Sequence, residues 1–199
     1  MDSGVAQKPI IDMAAYEAEL AARLNPTAGI LQTIFESVRS SPRRVVFAEG
    51  EEEKSIRAAY AFLNAGYGTP VLVGREDRIK EKMDRLGLPP VDGMEIHNAK
   101  RSTETESYMD FLYERLQRKG ILRRDCQRMV NQDRNVFAAC MVAAGDVDAM
   151  VTGLTRNYHV ALDEITRVLD PDRDSHVFGL SLVLGQDKTL FVSDTAVTE

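Results

Sequence analysis

The chain has 199 residues, of which 44% are hydrophobic and 28% are charged, a composition typical of a soluble globular protein with a sizeable core. A formal net charge of −6 argues against nucleic acid or an anionic membrane surface as the main partner, and the sequence contains no apolar tract long enough to span a membrane. The N-terminus lacks the apolar core of a signal peptide, and Cys126 and Cys140 stand apart in helical patterns, so we expect a reduced, cytoplasmic protein.

Two amphipathic helices are predicted at the start of the chain. Asp12 is a candidate N-cap for the first helix, and Asn25 ends it, because the following Pro26 disfavours helical backbone at the residue before it. Thr27 is a candidate N-cap for the second helix. The apolar residues that recur at helical spacing are Met13, Tyr16, Leu20 and Leu24 in the first helix, and Ile30, Leu31, Ile34, Phe35 and Val38 in the second. We therefore predict a helical linker over residues 1–41.

Strands and helices alternate from residue 43 onward. Short apolar runs predict four strands, over residues 45–48, 70–74, 94–97 and 149–152. The third run alternates with polar residues, which places it near an edge of the sheet, while residues 103–145 are helical throughout. Near the C-terminus, the apolar runs 177–184 and 190–193 flank a polar loop and predict a β-hairpin. The predicted fold class is α/β, with a largely parallel sheet flanked by helices.

The stretch over residues 149–157 predicts a buried strand that ends in a glycine turn and then a helix. The candidate ligand-binding residues at this helix entrance are Gly153, Thr155, Arg156 and Asn157. A flexible backbone, a hydroxyl, a guanidinium and an amide at a helix N-terminus are groups that hold a phosphate or pyrophosphate. The alternative is structural: Gly153 serves the turn, Asn157 caps the helix, and Arg156 faces solvent.

Polar side chains follow two other strands at what we expect to be the same edge of the sheet. Glu49 comes after the first strand, and Asp194 and Thr195 come after the last, so all three are further candidate ligand-binding residues. A structural alternative exists for each, because acidic residues here complement a helix dipole, and Asp194 or Thr195 would cap a following helix. The basic run from Arg115 to Arg128 is either a solvated face or a surface for a phosphate-rich cofactor or an acidic partner subunit.

Several stretches, taken in order, resemble the phosphate acetyltransferase (phosphotransacetylase) family. The matching stretches are residues 45–52, 70–74, 112–114, 118–121, 146–153 and 191–197. They look like the opening strand and acidic turn of that family, its second strand, its long-helix motif, a segment of the type GEVDGVVSG and one of the type FADTAVN. Each motif is weak by itself, but the ordered set is specific. The resemblance implies a fold of the phosphotransacetylase and isocitrate dehydrogenase type.

The start of the chain narrows the resemblance. Residues 3–10 look like the end of the nicotinamide-binding domain of bacterial NADP-dependent malic enzymes, and the loop at 152–158 is similar to theirs. The resemblance implies that residues 1–41 link to a malic-enzyme catalytic domain in cis. It also implies that residues 42–199 form a phosphotransacetylase-like domain, incomplete at its C-terminus, which should leave apolar surface near the hairpin uncovered. Further implications are acetyl-CoA or a related CoA ester as effector, a homo-oligomer, and NADP with Mg or Mn in the parent enzyme.

Two positions depart from the pattern of the active transferases. Leu116 and Asp163 stand where active members carry arginines that are thought to bind phosphate or CoA groups, so a cation is missing where an anionic transition state needs one. Arg115 and Arg156 are nearby in sequence and are candidates to compensate. We assign no catalytic residue and no metal ligand to this chain, and predict an acetyl-CoA-sensing and oligomerisation domain. The alternatives are an active phosphate acetyltransferase and a purely structural oligomerisation module.

Overall fold

The computed structural model describes residues 12, 13, 16, 17, 20, 26–89, 92–171, 177–185 and 188–193, with only the backbone of residues 26–30. The chain divides into two compact units. One comprises residues 38–172, and the other comprises residues 1–37 together with residues 173–199. The predicted domains, residues 1–41 and 42–199, stay a prediction.

A parallel four-stranded sheet forms the centre of the 38–172 unit. Its strands are β1 (Arg43–Phe47), β2 (Gly68–Val73), β3 (Glu95–His97) and β4 (Ala149–Val151), in the order β3-β2-β1-β4. The helices are α1 (Pro26–Ser40), which spans the division between the units, α2 (Glu53–Asn64), α3 (Glu76–Arg85), α4 (Thr105–Leu116), α5 (Arg123–Gln132), α6 (Arg134–Ala144) and α7 (Tyr158–Thr166). Every neighbouring pair of strands is parallel; Val46, for example, lies opposite both Val71 and Met150. The predicted α/β fold is confirmed.

Apolar side chains at alternating strand positions build a core on each face of this sheet. Val46 and Val71 pack with α4, α5 and α6 on one face, and Phe47 packs with α2 and α3 on the other. Burial on both faces explains why β1 and β2 are continuous apolar runs in the sequence. The thiols of Cys126 and Cys140 are unpaired and buried in α5 and α6. None of the helices in the described part of the chain has the length and apolar character needed to cross a membrane.

Strand β4 lies at an edge of the described sheet. The prediction of a buried strand over residues 149–152 is therefore wrong in its burial, because Val151 is 49% exposed and Ala149 is also exposed. β4 pairs with β1, and no other strand among the described residues pairs with its outer edge. An apolar run indicates a strand but does not reveal how many neighbours the strand has. β3, in contrast, is the edge strand that its alternating pattern predicts.

The strand order places a topological switch between β1 and β4. From β1 the chain continues to β2 and β3 on one side, and then crosses to the other side of β1 to form β4. The loops that leave the carboxyl ends of β1 and β4 therefore diverge and leave a crevice between them. In open parallel sheets this is the place where ligands bind. Glu49 and the loop that follows β4 both lie at this switch point.

The other unit contains an antiparallel hairpin. Its strands are β5 (Leu180–Leu184) and β6 (Thr189–Ser193), with Leu182 opposite Phe191, which confirms the predicted hairpin. Most of its apolar side chains are exposed: Leu180, Leu182, Val183, Leu190, Phe191 and Val192. Val177 and Phe178, just before β5, are exposed as well. This exposure agrees with the expectation of uncovered apolar surface near the hairpin.

The predicted first linker helix is described at only a few positions. Met13, Tyr16 and Leu20 have helical backbone, and the Tyr16 amide donates to the Asp12 carbonyl. These three apolar side chains are 56%, 41% and 38% exposed. Leu24, the fourth member of the predicted apolar face, lies outside the described residues.

Candidate functional site

A buried carboxylate joins the two loops at the switch point. Glu49 follows β1 and is only 4% exposed. Its Oε2 accepts a hydrogen bond from the Leu154 amide at 2.6 Å, and its Oε1 accepts hydrogen bonds from the Thr155 amide at 2.7 Å and from the Thr155 hydroxyl. The structure therefore brings together Glu49 and Thr155, two predicted site residues that stand 106 positions apart in the sequence.

The Glu49 carboxylate occupies backbone amides of the loop that we predicted to hold a ligand phosphate. Burial raises the pKa of Glu49, but hydrogen bonds from the Thr155 hydroxyl and from the loop amides outweigh this effect, so the pKa lies below its ordinary value of 4.5. Gly153 has a φ of +107°, a backbone conformation that glycine adopts readily, and it turns the loop toward Glu49. An incoming anion must displace Glu49 from these amides or bind beside them.

Arg156 is engaged by carboxylates of the protein itself. Its Nη1 pairs with Glu164 of α7 and lies 3.2 Å from Oδ2 of Asp133. Glu164 is 6% exposed, and its Oε2 accepts a hydrogen bond from Asn135 Nδ2 at 2.7 Å. Asn135 Oδ1 accepts in turn from the Thr152 hydroxyl at 2.6 Å. This network connects the end of β4 to the start of α6 and to α7.

Asn157 takes the structural role that the sequence leaves open. Its Oδ1 accepts a hydrogen bond from the His159 amide at 3.1 Å and so caps the N-terminus of α7. Asp133 caps α6 in the same way, through the Asn135 amide at 2.9 Å. Asp194 and Thr195 lie outside the described residues, so their predicted place at this site stays a prediction.

A cavity of about 460 Å³ opens beside the loop, a volume within the range of small-molecule sites. It is lined by Leu154 and Thr155 of the loop and by Glu52, Glu53 and Lys54 at the start of α2. Lys54 is the cation of this lining, although the sequence pattern drew attention only to the acidic residues before it. Within the described residues, no group of three or more His, Cys, Asp or Glu side chains is placed to hold a metal ion.

Neither of the two positions that depart from the active-transferase pattern supplies a cation, and the arginine near Leu116 is already paired. Leu116 is 3% exposed and belongs to the core cluster of α4, α5 and α6. Asp163 forms an ion pair with an arginine one turn later on the chain. Arg115, a candidate to compensate for the missing charge, binds both carboxylate oxygens of Asp170 instead. The Arg115 guanidinium is therefore paired with a carboxylate of the same chain, as is that of Arg156.

Sequence reasoning missed the pairing of Glu51 with Arg75. Glu51 accepts hydrogen bonds from the Arg75 amide at 3.0 Å and from its Nε and Nη2 at 2.9 Å. The Arg75 guanidinium lowers the pKa of Glu51 from 4.5 to about 2. In the sequence, Glu51 is one of three successive acids at the start of a helix, and nothing local indicates a partner 24 positions later.

Substitution of Glu51 by glutamine should destabilise the fold in a pH-dependent way. Because the folded-state pKa is depressed, the Glu51 carboxylate contributes its stability above pH 4.5 and loses it as the pH falls toward about 2. We expect Glu51→Gln to lower the free energy of unfolding by about 2 kcal/mol at pH 7, a value reduced for the exposure of the Arg75 guanidinium. Urea unfolding at a series of pH values measures both effects.

A matched control for Glu51→Gln is Glu76→Gln, which removes an exposed carboxylate paired with Lys80 on α3. This control should change stability by no more than about 0.5 kcal/mol at any pH. A difference between wild type and Glu51→Gln that stayed constant from pH 7 to pH 3 would contradict the depressed pKa of Glu51.

The chain is similar in sequence to several known proteins. Residues 29–199 match the family described as Phosphate acetyl/butaryl transferase. The NADP-dependent malic enzyme of Rhizobium meliloti is 51% identical over 199 residues, which cover 99% of this chain and 26% of that protein. A phosphate acetyltransferase of Clostridium acetobutylicum is 35% identical over 124 residues, or 62% of this chain and 37% of that protein. The chain thus spans about a quarter of the length of the malic enzymes that it matches.

A solved structure shares the fold. EutD phosphotransacetylase from Staphylococcus aureus superimposes with a TM-score of 0.76 at 21% sequence identity, over 86% of this chain and 51% of that chain. This likeness confirms the fold of the phosphotransacetylase type that the sequence motifs imply.

Proposed function

Because the chain belongs to the phosphate acetyl/butaryl transferase family, we propose that it is the phosphotransacetylase-like domain of an NADP-dependent malic enzyme and binds acetyl-CoA as an effector. In this proposal the domain has no transferase activity. The parent protein carries out the oxidative decarboxylation of malate to pyruvate with NADP and Mg or Mn, in the cytoplasm, through a catalytic domain joined in cis. The observation that carries the proposal is the crevice between β1 and β4, where Glu49 holds the loop after β4.

The groups around this crevice suit a CoA ester. Leu154 is 50% exposed and offers apolar contact to an acyl or pantetheine group. Lys54, at the start of α2 in the same lining, offers a positive charge to a phosphate. The Thr155 hydroxyl, which now donates to Glu49, is placed to exchange that hydrogen bond for one to the ligand. The proposed ligand therefore meets apolar, cationic and hydrogen-bonding groups within one cavity.

The charge balance at the switch point argues against acetyl transfer to phosphate. Asp133 and Glu164 pair with the guanidinium of Arg156, and Glu49 adds a third carboxylate that binds the same loop through the Leu154 amide. An anionic transition state is stabilised by cations that are aimed at it and not already neutralised. With Leu116 packed in the core, the described site offers a surplus of negative charge where transfer needs positive charge.

Regulation requires that acetyl-CoA bind one arrangement of the protein better than another. The hydrogen bonds of Glu49 connect β1 to the loop after β4, and the Arg156 network continues from that loop to α6 and α7. A ligand that displaces Glu49 would therefore alter contacts on several elements at once. The proposed homo-oligomer is supported by the exposed apolar side chains of the hairpin.

Replacement of Thr155 by valine tests the proposed site. Thr155→Val removes the hydroxyl but keeps the size and branching of the side chain, so we expect acetyl-CoA to bind about ten-fold more weakly. The measurement is calorimetric titration of acetyl-CoA into the full-length protein that carries this chain. Thr166→Val, at the end of α7 and outside the cavity lining, is the matched control and should bind acetyl-CoA as the wild type does.

Two results would favour the alternative functions. Formation of acetyl phosphate from acetyl-CoA and phosphate by the full-length protein would identify an active transferase and contradict the proposal. If acetyl-CoA neither binds the full-length protein nor raises its melting temperature, the result would instead indicate a purely structural oligomerisation module.

A further inference from the structure

A second cavity lies at the carboxyl ends of β2 and β3. Its volume is about 510 Å³, and the residues of its lining that matter here are Glu51, Arg75, Asn98, Lys100, Arg101 and Arg134. They come from the loops after β1, β2 and β3 and from the first residue of α6. No residue of the 153–157 loop lines this cavity, so it is distinct from the cavity beside the switch-point loop.

The lining carries excess positive charge in an otherwise acidic chain. Four cationic side chains line the cavity against two carboxylates, Glu51 and Asp77, whereas the whole chain has a net charge of −6. The bidentate contact with Arg75 neutralises Glu51. Three cations, those of Lys100, Arg101 and Arg134, are therefore not balanced by that pair.

These three cations lack hydrogen-bonded anionic partners among the described residues. Arg134 Nη1 is buried and makes no hydrogen bond, and the nearest carboxylate oxygen, on Glu52, lies 4.0 Å away. A buried N–H group without an acceptor is costly, so the chain itself does not fully satisfy the Arg134 guanidinium. The side chains of Lys100 and Arg101 form no ion pair in the described structure. Asn98 Oδ1 accepts a hydrogen bond from the Lys100 amide at 3.1 Å and so stabilises the turn that carries both residues.

We propose that this cavity is a separate binding site for a small phosphate-bearing molecule. Two guanidinium groups and one ammonium group match a doubly charged phosphate or a pyrophosphate, because arginine donates to phosphate oxygens in parallel pairs. Asp77, in the first turn of α3, also lines the cavity, and four cations against two carboxylates leave the lining with a net charge of +2. The volume suits a small molecule. This site does not depend on the acetyl-CoA proposal, because the two cavities have no lining residue in common.

Titration of pyrophosphate in metal-free buffer into the full-length protein that carries this chain tests the proposal. We expect saturable binding that Lys100→Gln and Arg101→Gln each weaken about ten-fold, as for loss of one charge-assisted hydrogen bond. Both residues are exposed, so these variants should fold. Arg85→Gln is the control: it removes the same charge from an exposed pair with Glu81, outside the cavity, and should leave the affinity unchanged.

Three outcomes would overturn the proposal. The first is no saturable binding of pyrophosphate. The second is equal weakening by Arg85→Gln, which would indicate a general effect of charge. The third is weakening by Thr155→Val with no effect of Lys100→Gln, which would place pyrophosphate in the switch-point crevice. An unchanged pyrophosphate affinity in Thr155→Val, with acetyl-CoA binding reduced, would support two separate sites.

Discussion

Replacement of Glu49 by glutamine should lower the free energy of unfolding by about 3 kcal/mol, since charge-assisted hydrogen bonds to a buried group are among the strongest in proteins. Glu49 is 4% exposed and accepts hydrogen bonds from the Leu154 amide and from the amide and hydroxyl of Thr155. A glutamine side chain has one acceptor oxygen, and its NH₂ group would face a loop amide that is also a donor. We therefore expect both lower stability in urea unfolding and faster hydrogen exchange at the amides of Leu154 and Thr155.

The matched control is Glu81→Gln on α3, which removes an exposed carboxylate paired with Arg85. This change should cost no more than about 0.5 kcal/mol. Because the pKa of Glu49 is depressed, the difference between wild type and Glu49→Gln should shrink as the pH falls below 4.5. Equal stability of Glu49→Gln and Glu81→Gln at neutral pH would show that Glu49 does not hold the loop.

Replacement of Gly50 by alanine should be at least as destabilising, at about 3 kcal/mol or more, because the added methyl group meets backbone rather than a movable side chain. A Cβ atom at this position would lie 2.8 Å from both the amide nitrogen and the carbonyl oxygen of Val73. The Gly50 amide also donates to that carbonyl at 3.1 Å. Relief of the clash would separate the loop after β1 from β2 and shift Glu49 and Glu51. Thermal and urea unfolding measure the loss.

A glycine with open surroundings provides the comparison. Gly66 has a φ of +71°, and among the described residues no atom lies within 4 Å of the place that a Cβ atom would take. Gly66→Ala should therefore cost only about 1 kcal/mol of backbone strain. A loss for Gly50→Ala no larger than that for Gly66→Ala would show that the strand and loop adjust without penalty.

The elements of the fold were accessible from the sequence because their signals are local. The apolar run of β1, the alternation of β3 and the helical pattern over residues 103–145 each predict elements that the structure confirms. Burial of β4 was not accessible, because exposure of Val151 depends on how many strands pair with β4. The number of strands that pair with β4 is a property of the whole sheet and cannot be predicted from a stretch of a few residues.

The candidate site was predicted in its position but not in its contacts. The sequence places Glu49 and the 153–157 loop at carboxyl ends of strands, and the strand order brings them together. It does not show that Glu49 takes the loop amides, or that Arg156 meets Asp133 and Glu164. These partners are distant in sequence. A sequence by itself does not distinguish an arginine that is exposed to solvent from one that is paired with a carboxylate.

The most direct test of the central claim is the rate of malate oxidation by the full-length protein as a function of acetyl-CoA concentration, with wild type and Thr155→Val compared. The proposal predicts a saturable change of rate in the wild type and a shift of its midpoint to about ten-fold higher acetyl-CoA in the variant. A rate that does not depend on acetyl-CoA, or a midpoint that is identical in the two proteins, would contradict a regulatory site at the crevice between β1 and β4.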